Sequence, residues 1–144
     1  QESRGLGDVY KRQGQLTVYF LVDIKRHSIT VRQLVNQIES VMIGCVANYD
    51  IKAERLSGAP GVYVDNKKIG SLGLRVTRGK SYHGMSLNVD MELEPFSRIN
   101  PCGLFGMEVT QVACYKSCDI EDVKLDLLSE ISTVFDFKLN RLDN

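Results

Sequence analysis

The residues of this chain that could do chemistry are few: four cysteines, at 45, 102, 114 and 118, two histidines, and a pair of adjacent lysines in a strand-like run. Cys102 stands apart because it lies in Asn100-Pro-Cys-Gly103, a tight loop. Proline fixes one side of that turn and glycine frees the other, so the sulfur can be presented to solvent or substrate. On the tripeptide alone, a buried hydrophobe and a nucleophile both remain open. A free thiol with a pKa of about 8.5 is only a few per cent thiolate at neutral pH. A neighbouring ammonium shifts it toward thiolate, each unit being worth about 1.4 kcal/mol. Lys67 and Lys68 offer that ammonium, and strand alternation puts them on opposite faces, so one of them can reach a given sulfur. Which of the two does so, or whether both are solvated strand lysines, stays open on the residues alone, although Lys68 directly precedes Ile69-Gly-Ser-Leu-Gly73.

Other constellations are weaker. His27 and His83 lack partners at metal-ligand spacing, so neither a metal nor a dissociable cofactor is expected. Cys114 and Cys118 have no second pair elsewhere and read as structural or incidental. Gly70-Ser-Leu-Gly73 lacks the Lys-Ser/Thr ending and the following helix of a phosphate loop. Asp90, Glu92 and Glu94 alternate along a solvated edge.

The elements that must position these residues follow from periodicity. Residues 1–13 are polar and aperiodic and read as an unstructured leader; Asp8-Val-Tyr-Lys-Arg-Gln13 looks like a translated sequencing adapter, which leaves 14–144 as native chain. The run from Gln15 through Ile24, rich in β-branched and aromatic residues, predicts a buried strand. Thr30 is an N-cap candidate before Val31, Leu34, Val35, Ile38, Val41, Met42 and Cys45, one apolar helical stripe that makes Cys45 a core thiol. Gly61–Val64, the run from Lys67 to Val76 and the run from Ser81 to Met91 read as further strands, with turns at Ser57–Gly61, Asp65-Asn66 and Thr77–Lys80. Glycines 70, 73 and 84 fall inside those strands, where they mark bulges or the close approach of a ligand. Leu93–Ile99 reads as a helical turn, and Asp119 caps a last helix with Ile120, Val123, Leu127, Ile131, Val134 and Phe135 on one face. Strands interleaved with few helices predict a mixed α/β or α+β domain.

Composition narrows the class. The chain has 144 residues, with 18 Lys+Arg against 18 Asp+Glu. Zero net charge argues against bulk nucleic-acid binding, which demands a basic face. No apolar run reaches the roughly 20 residues of a membrane span, and no basic-then-apolar leader opens the sequence. A cytoplasmic protein with reduced thiols is expected.

The stretch from Pro60 to Gly103 resembles the lipoyl(octanoyl)transferases, which move octanoyl groups from acyl carrier protein to lipoyl domains. The resemblance rests on the ordered series Pro60-Gly-Val-Tyr-Val64, Lys68-Ile, Ser71-Leu-Gly73, His83-Gly84, Asn88, Phe96 and Pro101-Cys-Gly103, and extends over roughly residues 14–113. It implies a biotin/lipoate protein ligase-like fold, a mixed sheet flanked by helices. It implies Cys102 as the nucleophile that takes the octanoyl chain as a thioester, and Lys68 as the residue that lowers the thiol pKa and moves protons. By the same resemblance Ser71, Leu72 and Gly73, with Gly84, Met85 and Ser86, line the acyl site, and His83 and Asn88 support it. The implied partners are octanoyl-acyl carrier protein as donor, and the lipoyl domains of 2-oxoacid dehydrogenase complexes and the glycine cleavage H protein as acceptors. No nucleic acid or membrane partner is implied.

The sequence departs from the family upstream. The family's Arg-Gly-Gly segment and its Thr-Tyr-His-Gly-Pro-Gly-Gln motif are represented only by Gly14-Gln15-Leu16. The expectation is therefore the C-terminal part of a single catalytic domain, incomplete at its N-terminus, poorly stable and nearly inactive. Two alternatives share the resemblance: an ATP-dependent lipoate or biotin ligase, which needs no catalytic cysteine, and an inactive acyl-binding fragment.

Overall fold

The computed structural model describes residues 9–12, 14–26, 28–81, 84–92 and 108–135, with the backbone alone for 9–12 and Ser81. In chain order the elements are β1 (Val9–Arg12), β2 (Gln15–Val18), β3 (Val22–Asp23), α1 (Val31–Ala47), β4 (Glu54–Leu56), β5 (Ala59–Val64), β6 (Lys67–Leu72), β7 (Val76–Thr77), β8 (Lys80–Ser81), β9 (Met85–Asn88), a 3-10 turn (Val112–Cys114) and α2 (Ile120–Phe135).

Thr30 caps α1 as expected. Its hydroxyl accepts from the Gln33 amide, and the Gln33 side chain accepts from the Thr30 amide, a reciprocal box. The stripe below the cap buries Leu34, Ile38, Val41, Met42 and Cys45, whereas Val31, beside the cap, stays exposed. Asp119 starts α2, its carboxylate accepting from the Glu121 amide, and Val123, Leu127 and Ile131 are buried along it. The two helices pack together closely: the Cys45 thiol lies 3.7 Å from the Val123 carbonyl, and the Tyr49 hydroxyl donates to Asp126.

Six strands form one sheet in the order β1-β2-β9-β6-β5-β4, and β3-β8-β7 form a second, small one. Every strand pair is antiparallel; the mixed sheet of the expectation is reduced, among the described residues, to one parallel bridge between Lys68 and Val109. Val64 and Lys67 are paired across Asp65-Asn66, both at positive φ, as a two-residue hairpin turn requires. Leu16, Val18, Met85, Leu87, Val62 and Ile69 join the helices in one buried core, an α+β arrangement.

Three expectations change. Val9–Arg12 is a strand paired with β2, not part of an unstructured leader; Arg12 faces Gln15 across a turn in which Gly14 has φ +87°. The single strand expected over Gln15–Ile24 is divided, because β2 ends at Val18 and β3 joins the small sheet. Phe20, between them, is buried against Phe135, while Tyr19 and Leu21 are exposed. The close approaches at two of the strand glycines come from the protein itself: a methyl group at Gly70 would meet Met42 of α1, and one at Gly84 would overlap the Val18 carbonyl. The readings for Leu93–Ile99 and Asn100–Gly103 lie outside the described residues.

Candidate active site

The segments expected to line an acyl site meet at the centre of the large sheet. Ser71 pairs with Ser86 and Leu72 with Met85, where β6 runs beside β9. The Gly73 amide donates to the Gly84 carbonyl at 2.9 Å, closing the ladder just beyond Leu72. Residues separated by the whole β7–β8 excursion therefore form one contiguous strip. Ser86 also shares a 3.1 Å hydroxyl contact with Thr17 of β2, so polar side chains face one another across β2 and β9. Leu72 belongs with Met85 to the apolar packing around the core.

Lys68 owes its direction to a register shift. Val62 pairs with Gly70, but the next residue, Tyr63, pairs with Lys68, so Ile69 has no partner opposite. An extra residue of this kind re-aims the side chains beside it. Lys68 Nζ comes to lie 5.9 Å from the centre of the Tyr63 ring, within the range of a cation–π contact. Lys67 pairs with Val64 instead and places its ammonium 3.7 Å from Glu108, so the two lysines have separate environments. On its other side the Lys68 backbone is held by the returning chain: its amide donates to the Glu108 carbonyl at 2.8 Å, and its carbonyl accepts from Thr110 at 2.9 Å.

Asn88 ties that returning segment to the sheet. Nearly buried, it accepts from Gln15 Nε2 and donates to the Thr110 carbonyl. Both polar ends of its side chain are occupied by protein, which makes it a strap between β2, β9 and residues 108–110. His83 and Cys102 lie outside the described residues. Cys102 precedes Glu108, the residue bonded to the Lys68 amide, by six positions.

Sequence reasoning missed Glu39 and gave Gly61 a place in the motif but no role. Glu39, on α1, is 5% exposed; one carboxylate oxygen accepts from Arg55 Nε and the other from the Gly61 amide, each at 3.0 Å. A charged residue flanked at helical spacing by Val35, Met42 and Val46 was the signal available. Gly61 itself has φ +125°, a conformation open only to glycine, and a methyl group there would stand 2.9 Å from Lys68 Cε. Cys45, by contrast, is removed from chemistry. Burial, then the nearby charges of Asp126 and Glu130, pushes its thiol up to about 12.

The family model described as lipoyl protein ligase A/B catalytic domain matches residues 3–132, and the chain belongs to that family. The match begins inside the segment read as a leader. Within the family, the relatives it resembles are octanoyltransferases. That of Vibrio cholerae serotype O1 is 45% identical over 138 residues, which cover 96% of this chain and 64% of the relative. That of a Shewanella species is 57% identical over 111 residues, 77% of this chain and 51% of the relative. The chain thus spans between half and two thirds of the length of these proteins. Among solved structures, biotin protein ligase from Aquifex aeolicus superposes with a TM-score of 0.68 over 89% of this chain and 57% of that one, at 22% identity, and so shares the fold. Among the described residues, no helix is long and apolar enough to cross a membrane.

Proposed function

We propose that this chain carries the acyl-transfer half-sites of an octanoyltransferase acting in protein lipoylation. The supporting observation is the β6–β9 strip: Ser71–Gly73 against Gly84–Ser86, with Lys68 on the same strand and bonded through its backbone to Glu108 and Thr110, which follow Pro101-Cys-Gly103 in the sequence. In the proposed reaction the Cys102 thiolate attacks the carbonyl carbon of an octanoyl thioester, and the carrier's thiol leaves. The lysine amine of a lipoyl domain then attacks the Cys102 thioester, expels the thiolate and loses a proton, forming an amide. The first step exchanges thioester for thioester and the second is downhill, so no ATP is required. Lys68 supplies the positive charge that favours the thiolate and handles the proton. The donor is octanoyl-acyl carrier protein, the acceptors are lipoyl domains of 2-oxoacid dehydrogenase complexes and the glycine cleavage H protein, and the compartment is the cytoplasm.

Intact-mass spectrometry after incubation with octanoyl-acyl carrier protein tests this. The expected result is one octanoyl adduct, labile to hydroxylamine and lost in Cys102→Ala. Product formed only with ATP and free octanoate, and retained in Cys102→Ser, would instead identify a ligase; binding of octanoyl-acyl carrier protein with neither adduct nor transfer would sink both and leave an acyl-binding fragment.

A further inference from the structure

We infer that Glu39, a residue of the α1 core face, positions the Lys68 side chain through the Gly61 amide. The inference rests on the reading of Lys68 as the partner of Cys102.

The geometry has three links. First, the Glu39 carboxylate is buried and doubly engaged, by Arg55 Nε and by the Gly61 amide. Arg55 is itself fixed, donating from Nη2 to the Asn36 carbonyl at 2.9 Å and to the Ser40 hydroxyl at 2.7 Å, both on the same helix. The carboxylate is therefore held to the helix side by a bound guanidinium and presents its remaining oxygen to the sheet. Second, Gly61 is the point at which β5 turns into its register with β6. Its φ of +125° directs its amide to Glu39. Third, the space beside Gly61 that a side chain would fill is occupied by the Lys68 stem, Cε lying 2.9 Å from an added methyl carbon, with the Gly70 carbonyl at 2.7 Å. Lys68 thus extends over Gly61 toward the Tyr63 ring, and the floor beneath it is fixed by Glu39.

Here the strand position whose missing side chain makes room for the Lys68 stem is also the one that Glu39 holds. Loss of that bond frees Gly61 to relax and lets the ammonium leave its place. A displacement of about 1 Å in a catalytic group can cost up to a hundredfold in rate.

The test follows the reactivity of Cys102, read by peptide mass spectrometry after timed alkylation with iodoacetamide from pH 5 to 10. Lys68→Met is expected to lower alkylation at pH 7 about tenfold, equivalent to a rise of one unit in the thiol pKa. Glu39→Gln keeps volume but leaves either Arg55 or Gly61 without its acceptor; it is expected to lower the rate roughly threefold or more in the same direction. It should have no further effect when combined with Lys68→Met. Gly61→Ala, which retains Glu39, should match Glu39→Gln, and Glu39→Asp should recover part of the wild-type profile. Leu34→Val is the control for general destabilisation of α1, and its Cys102 profile should be that of the wild type. The inference is overturned if Glu39→Gln and Gly61→Ala keep the wild-type profile while Lys68→Met shifts it, or if Leu34→Val shifts it equally. If Lys68→Met itself shifts nothing, the reading of Lys68 fails and the inference falls with it.

Discussion

Two glycines of the candidate site invite opposite responses to the same substitution. A methyl group at Gly84 would overlap the Val18 carbonyl oxygen and stand 2.9 Å from the Phe20 ring, whereas at Gly73 it would meet no atom among the described residues within 4 Å. The Val18 carbonyl cannot swing aside, because β2 is held between β1 and β9. Relief requires separating Val18 from Met85 at the end of the β2–β9 ladder. One or two backbone hydrogen bonds at about 1 kcal/mol each, added to an overpacking strain of about 1–3 kcal/mol, give a cost of about 2–5 kcal/mol. In a domain of this size that lowers Tm by on the order of 10 °C. Gly73→Ala, at an unstrained φ, should melt as the wild type does. Thermal denaturation of the two variants side by side is the assay, with acyl loading of Cys102 as a second reading. If octanoyl chains run along the strip, Gly73→Ala loses loading while keeping its Tm. A Gly84→Ala protein melting within about 2 °C of the wild type would refute the packing argument.

Two further outcomes are expected. The Cys45 thiol, raised from 9.0 to about 12 by burial and by Asp126 and Glu130, stays protonated in the folded state at pH values where the unfolded chain ionises. Its contribution to stability is whole below pH 9 and falls between about 9 and 12, at up to about 1.4 kcal/mol per pH unit. Tyr49, raised chiefly by burial and by its bond to Asp126, adds the same sign, so the measurement is urea unfolding from pH 8 to 11 in wild type and Cys45→Ala. A slope unchanged by the substitution would contradict this assignment. Gly70→Ala should cost about 1–3 kcal/mol through its collision with Met42, and Met42→Val should relieve much of that cost, the cycle showing coupling above about 0.5 kcal/mol; additive melting shifts would mean that the contact is absorbed elsewhere.

The elements legible in the sequence were those with a local cause. Thr30 and Gln33 supply their own cap, the stripe from Leu34 to Cys45 has one period, and Asp65-Asn66 chooses a hairpin turn by its tolerance of positive φ. What escaped had a non-local cause. Nothing in the run from Leu16 to Ile24 marks Val18 as a strand end; the end is imposed by Phe20 seeking Phe135, more than a hundred residues away in the sequence. The strand glycines read as bulges or as close approaches of a ligand; a register shift does lie beside Gly70, but the approaching groups are the protein's own, α1 at Gly70 and β2 at Gly84.

The candidate site shows the same division at finer grain. Alternation alone correctly separated Lys67 from Lys68, since the two pair with successive residues of β5. It could not say over which residues Lys68 extends, because a strict period-two strand would carry Val62–Gly70 pairing forward to Tyr63–Ile69, and the chain instead skips Ile69. That skip sets the Lys68 ammonium over Tyr63 and requires a residue without a side chain at position 61. A residue without a side chain, at positive φ, presents an amide that the ladder does not use, and the acceptor comes from a glutamate on the helix. The glutamate at 39, the glycine at 61 and the lysine at 68 are thus one structural solution written in three places, and of the two that carry charge only the lysine lies in the stretch that carries the family resemblance.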